Sequence, residues 1–163
     1  MDKIATSLTF TTIDPTVDRA TIIVFRSDAE RCSTGDPVRF KEALYLKWLE
    51  TRVRRFPEGF VLVREYGQPI GQLELQIVSI DDVAVGFMNL VYLIPVYRGK
   101  GYAHLLTDYA EAFFRSHGVE SYQLRVSPSN ARAIAFNEKA GFQKIKEVTQ
   151  PHVLWCYMKT IGR

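Results

Sequence analysis

Cysteine is scarce in this chain: Cys32 and Cys156 are its two cysteines among 163 residues, far apart and without metal-ligand spacing. That scarcity excludes a disulfide scaffold and a cysteine-built metal centre, and it fits free thiols in a reducing compartment. No apolar run approaches the roughly twenty residues that a membrane helix needs. The first residues, Met1 to Ser7, lack the apolar core of a signal peptide, so the expected location is the cytoplasm. Charge of one sign is not in excess either. Lys and Arg total 21 against 18 Asp and Glu, a net +3, with no clustered basic face, so a nucleic-acid partner is not expected. Internal repeats, low-complexity segments and linkers are all missing, which leaves a single domain over residues 1–163. The composition that remains, 47% apolar and 24% charged, is that of an ordinary soluble protein with a real core.

The most informative stretch runs from Ile94 to Ala103 and reads Ile-Pro-Val-Tyr-Arg-Gly-Lys-Gly-Tyr-Ala. A β-rich apolar run, Gly86 to Leu93, precedes it, and a helical pattern to about His117 follows. Gly99 and Gly101, separated by Lys100, therefore stand where a strand stops and a helix starts. A helix N-terminus exposes unpaired N–H groups and about half a positive elementary charge. Glycines there let the backbone close on a bulky anion, and Arg98 and Lys100 add side-chain charge, so a diphosphate held by backbone N–H groups is expected. A P-loop is excluded, because Tyr102 follows Gly101 and Val96 stands where an earlier glycine belongs. The dinucleotide fingerprint is excluded by His104 at its third glycine.

Along the chain, Ser7 to Ile13 is rich in Thr and reads as a first strand ending at Asp14-Pro15. Thr16 to Phe25 reads as a helix opened at Thr16 or as a second strand, since Thr-Ile-Ile-Val-Phe is β-branched. Asp28 to Val38, with Gly35-Asp36-Pro37, reads as loop. Phe40 to Phe56 has helical spacing and ends at Pro57-Glu58-Gly59; its basic run, Arg52 to Arg55, reads as a solvated helix end. Phe60 to Glu65 and Ile70 to Ile80 read as a hairpin. In the second of these strands Leu73, Leu75 and Ile77 alternate with Gln72, Glu74 and Gln76, which predicts a half-buried strand with an available polar face. Ala84 to Leu93 is a third antiparallel strand, stopped by Pro95. Tyr102, Leu105, Leu106, Tyr109, Ala110 and Phe113 form one apolar helical stripe closed by Gly118. Tyr122 to Val126 is a strand, so the helix before it suggests a parallel βαβ unit. Asn130 is a good N-cap for a helix over Ala131 to Ala140, and two strands follow around Thr149-Gln150-Pro151.

Arg98, Gly101 and Ala103 fill the pattern Arg/Gln-x-x-Gly-x-Gly/Ala, and the stretch resembles motif A of the GNAT superfamily of acetyl-CoA-dependent N-acetyltransferases. Asn130 to Phe142, Asn-Ala-Arg-Ala-Ile-Ala-Phe-Asn-Glu-Lys-Ala-Gly-Phe, resembles motif B of the same superfamily. The resemblance covers residues 60 to 160 well and the first 55 weakly. It favours the helix for Thr16 to Phe25. It implies a mixed α/β fold, a mostly antiparallel sheet of about seven strands flanked by about four helices. It also implies acetyl-CoA as cosubstrate, without a metal, and an amine of a small molecule or peptide as acceptor, in a monomer or homodimer. Carried onto this chain, cofactor contacts fall on Val91, Leu93, Arg98, Gly99, Lys100, Gly101, Tyr102, Ala103, Asn130 and Asn137. The N–H of Leu93 would polarise the thioester.

An alkylamine, with a pKa of about 10.4, must lose a proton before it attacks. Glu74 is the one carboxylate on its strand's polar face and is the candidate base or water holder, with Asn89 and Tyr92 as polar candidates on the next strand. His104, His117 and His152 lie outside convincing base geometry. The chain departs from the family at Asn137, where many members carry a Tyr that protonates the coenzyme A thiolate. An amide is no proton donor at neutral pH, although Asn137 can still hydrogen-bond a thiolate. That departure keeps a second expectation in view, a non-catalytic acyl-CoA-binding or sensor module.

Overall fold

The computed structural model describes residues 8–34, 40–149 and 152–162. The expectations for Met1 to Ser7, Gly35-Asp36-Pro37 and Gln150-Pro151 lie outside these residues. Seven strands form one sheet: β1 (Leu8–Thr12), β2 (Phe60–Glu65), β3 (Gln68–Ile80), β4 (Val83–Leu93), β5 (Ser121–Val126), β6 (Gln143–Val148) and β7 (Leu154–Thr160). Their spatial order is β1-β2-β3-β4-β5-β7-β6. Every neighbouring pair is antiparallel except β4 and β5. Four helices complete the described chain: α1 (Arg19–Thr34), α2 (Glu42–Arg55), α3 (Tyr102–Ser116) and α4 (Ala131–Lys139). The mixed α/β architecture inferred from the sequence is the one observed.

The helices divide between the two faces of the sheet. Phe25 of α1 meets Tyr92 of β4 at a ring separation of 5.0 Å, and Trp48 of α2 meets Phe60 of β2 at 5.7 Å. On the opposite face Phe114 of α3 stacks on Tyr122 of β5 at 4.7 Å, and Tyr157 of β7 donates to Glu138 of α4. The apolar stripe of α3 is realised: Leu106, Ala110, Phe113 and Phe114 are buried. Glu111 is buried on that helix too, held by Tyr122, Lys159 and Arg115.

Three expectations are corrected. The helix does not open at Thr16; Asp14 Oδ1 accepts from the N–H groups of Thr16 and Val17, making a side-chain turn, and α1 starts at Arg19. Residues 28–34 are not loop but the last turns of α1, because no breaker interrupts the chain before Gly35. The polar side of β3 is not exposed: Gln72 and Glu74 have no accessible surface and Gln76 very little, since α1 and α2 lie across them.

Gly59, between α2 and β2, packs against the backbone of β3. A Cβ there would stand 2.2 Å from the Leu75 carbonyl oxygen and 2.9 Å from Phe113. That carbonyl cannot move freely, because the Leu75 N–H is itself bound to the Gly59 carbonyl at 2.9 Å. Gly59→Ala is expected to destabilise the protein by ~1–3 kcal/mol, read as a lower denaturant midpoint at unchanged m-value.

Candidate active site

The site begins with an irregularity in β4. Opposite β3, Glu74 pairs with Leu90 and Leu75 with Met88, so Asn89 is an extra residue, a β-bulge. Its side-chain oxygen accepts from Gln76 Nε2 at 2.7 Å, which fixes the bulge. On the other edge β4 pairs with β5 only from Gly86 to Met88. Beyond the bulge the two parallel strands part, and the rest of β4 faces an opening.

The direction of the freed backbone groups follows from alternation along the strand. The Ile94 N–H bonds to the Ile70 carbonyl at 2.8 Å, toward β3. The groups of Leu93 and Val91 therefore point the other way, into the gap. The Leu93 carbonyl confirms it by accepting from Arg98 Nε at 2.8 Å on that side. Two N–H donors, of Val91 and Leu93, are thus aimed into the opening between strands.

At its end β4 runs through a single 3-10 turn, Pro95–Tyr97, into the glycine turn. Gly99 and Gly101 have φ of +72° and +88°, and a Cβ at either would meet nothing within 4 Å. Gly101 is the N-cap of α3 and supplies no side chain to cap it. The first N–H groups of α3 therefore face open space in front of a conformation that residues with a Cβ seldom adopt. Unpaired N–H groups at a helix start are the arrangement that favours a bound anion.

The gap and the turn open into one cleft of about 1000 Å³, at the upper end of ordinary ligand sites. Val91, Leu93, Arg98, Gly99, Gly101, Ala103, Asn130 and Asn137, all residues that the resemblance placed at the cofactor, line it. Asn130 also caps α4, accepting from the Ala133 N–H at 3.2 Å. Asn137 is buried, and its side-chain amide makes no hydrogen bond among the described residues. Lys100 and Tyr102 contribute no side chain to that lining. The side chain of Lys100 is exposed and outside the cleft lining, and Tyr102 turns away to donate to Glu65 at 2.8 Å.

Arg98 is committed elsewhere than to the anion position. Besides the Leu93 carbonyl it holds Asp28 of α1 at 3.1 Å and lies 5.4 Å from the Tyr92 ring. Tyr92 also donates to Asp28. That hydrogen bond, with further ones from Arg31 and Arg98, holds the Asp28 carboxyl below its ordinary value against the opposing effect of burial. The Tyr92 hydroxyl is pushed up, first by desolvation and then by Asp28. The sequence reading missed Asp28 because it placed that residue in a loop.

Glu74 does not line the cleft. It is wholly buried behind Arg26, whose Nη1 lies 3.2 Å from Oε1. Tyr45 of α2 donates to Oε2, and Gln72 Nε2 reaches that oxygen at 2.9 Å. Burial pushes the Glu74 carboxyl up, opposed by Arg26, Tyr45 and Gln72. The residue that reaches the cleft is Arg26, which the sequence did not single out. His104, expected to lie at the helix start, lines the cleft beside Phe136, with ring centroids 5.6 Å apart. Among the described residues no cluster of His, Cys, Asp and Glu could hold a metal, and no helix is long and apolar enough to cross a membrane.

The fold, a seven-stranded mixed sheet with four helices, is shared with solved structures. Naa20 of Chaetomium thermophilum, solved with a bisubstrate analogue, superposes with a TM-score of 0.74 at 18% identity, covering 94% of this chain and 86% of that one. An N-acetyltransferase of Thermoplasma acidophilum in complex with coenzyme A gives 0.70 at 18% identity, covering 94% and 99%. In sequence, an uncharacterized N-acetyltransferase of Methanocaldococcus jannaschii is 28% identical over 109 residues, 65% of this chain and 46% of that protein. The chain spans less than half the length of the curated relatives it matches. The model of the Acetyltransferase (GNAT) family matches residues 24–142, and the chain belongs to that family.

Because burial raises the Glu74 carboxyl, the folded state holds its proton to higher pH than the unfolded chain does. Wild-type stability from this group is therefore full below the ordinary carboxylate pKa and falls as pH rises toward the raised value. Glu74→Gln has no such proton to lose. The stability difference is expected to shift in the variant's favour as pH rises from about 4 and then to level off, measured by urea denaturation at several pH values.

Proposed function

We propose that the protein transfers an acetyl group from acetyl-CoA to a primary amine. The observation that carries the reading is the continuity of the parted strands with the glycine turn: one cleft joins strand-edge donors to an anion cradle. Acetyl-CoA, when bound, supplies an activated acyl thioester. The N–H groups of Gly99 to Ala103 hold its diphosphate, and the Val91 backbone pairs with the pantetheine arm as a neighbouring strand would. The Leu93 N–H donates to the acyl oxygen, where a preorganised donor is worth a few kcal/mol as charge develops. Asn137, buried with its amide uncommitted, donates a hydrogen bond on the thiol side without surrendering a proton. The acceptor enters from the α1 side, past Arg26, Asn89 and Tyr92. Glu74 is screened from it by Arg26 and serves there by fixing that guanidinium. The coenzyme A found with the Thermoplasma protein supports the cofactor, at the level of fold.

A second reading, a non-catalytic acyl-CoA-binding module, rests on Asn137 in place of a Tyr. Thiol release from acetyl-CoA that depends on an added amine excludes it.

Gly101→Val is expected to weaken acetyl-CoA binding at least tenfold by calorimetry, since it both strains a φ of +88° and fills the cradle. Lys100→Ala, an exposed residue outside the lining, is expected to cost less than threefold. Equal affinity of wild type and Gly101→Val removes the diphosphate assignment. Asn137→Ala is expected to leave the high-pH limb of the rate profile in place while lowering kcat about tenfold, because an amide contributes a hydrogen bond and no titration.

A further inference from the structure

The lining of the cleft is unequally charged: Arg26, Arg98, Arg125 and Arg132 contribute to it against one carboxylate, Glu30. Their positions separate their uses. Arg132 sits in the first turn of α4, on the face of the sheet that carries the glycine turn. Arg98 is fixed to Asp28 and the Leu93 carbonyl. Arg125 and Arg26 remain.

Both lie on the α1 face, and the strand register shows it. Gln76 is opposite Phe87, and Phe87 is opposite Gln123, so their side chains share one face. Arg125 stands two residues after Gln123 and joins them, and Glu74, two residues before Gln76, is on that face as well. The Arg125 guanidinium lies 5.4 Å from the Phe87 ring and forms no ion pair among the described residues. Arg26 reaches the same face from α1 and spends only Nη1, on Glu74. A cation–π contact uses none of the hydrogen-bond donors of Arg125, so the planar fork stays open to an anion.

We infer that Arg125, with Arg26 across the opening, reads a carboxylate on the acceptor, and that the acceptor is a small amine carrying its own carboxylate, an amino acid or a close analogue. This deepens the proposed acetyl transfer and rests on it. Two cations beside the entry of a plain alkylammonium would repel it. A zwitterion brings a carboxylate that the fork binds in bidentate fashion, and the paired cations favour the neutral form of its amine by raising the local potential.

The test uses the full chain with matched acceptors: α- and ω-amino acids, their amides and their decarboxylated amines, with thiol release as the readout. In parallel, calorimetry measures binding of the same compounds to protein saturated with coenzyme A. The carboxylate member of the best pair is expected to exceed its counterpart without a carboxylate at least tenfold in kcat/KM. Arg125→Gln is expected to reduce that ratio at least fivefold while the acetyl-CoA Kd stays within twofold, and Arg125→Lys to recover part of the ratio. Equal or better use of the members without a carboxylate by the wild type overturns the inference. So does an unchanged ratio in Arg125→Gln, or a weakened acetyl-CoA Kd, which assigns Arg125 to the cofactor. Normal acetyl-CoA binding with no carboxylate member bound or acetylated overturns the acceptor assignment alone. Absent acetyl-CoA binding overturns the reading beneath it.

Discussion

The parting of β4 from β5 after Met88 is the constraint on which the rest of the site depends. Inside a sheet, every backbone N–H left without a partner costs free energy comparable to a lost hydrogen bond. Here the chain leaves Val91 and Leu93 facing a gap in the middle of its sheet, not at an edge. The bulge at Asn89 makes this possible by bending β4 where the pairing stops, and Gln76 holds the bulge from the neighbouring strand. One exposed acceptor, the Leu93 carbonyl, is satisfied internally by Arg98. What the fold leaves open is a short run of strand edge, to which a linear ligand with amide groups can add as a further strand.

The glycine turn was legible in the sequence because its chemistry is local. Two glycines between a strand pattern and a helix pattern require a backbone that other residues rarely adopt, and the structure has positive φ at both. The order of strands and helices was equally legible, since period-2 and period-3.6 patterns are strong in β3 and α3. The polar side of β3 was misread for a physical reason. Alternation tells which residues share a face, but not whether a helix distant in sequence covers that face. Gln72 and Glu74 were read as part of an available polar face and are buried beneath α1 and α2.

Residues that meet only through tertiary structure were the hardest to find. Asp28, Tyr92 and Arg98 are held together by hydrogen bonds, yet none of them sits in a pattern with the others. The sequence reading did not single out Arg125, which lies in a short strand. No periodicity distinguishes an exposed strand arginine that faces solvent from one that faces a cleft. The signal available in the sequence was indirect: Gln123 and Arg125 alternate with Tyr122, Leu124 and Val126, which places them opposite α3.

The role of Arg98 shows how position within a motif can mislead about chemistry. A guanidinium beside a glycine turn suggests a phosphate clamp, and the charge is in the right place for one. Its donors, however, are engaged by the Leu93 carbonyl and Asp28, tying the end of β4 to α1. Removing it would leave Asp28 with fewer partners and the Leu93 carbonyl bare, so the loss would register in the geometry of the gap before it registered in anion binding. Under the proposed acetyl-CoA reading, backbone N–H groups, which cannot swing away and lose no side-chain entropy on binding, would be the main holders of the diphosphate. The arginine acts by keeping the last residues of β4 at the angle that aims the Leu93 N–H into the cleft.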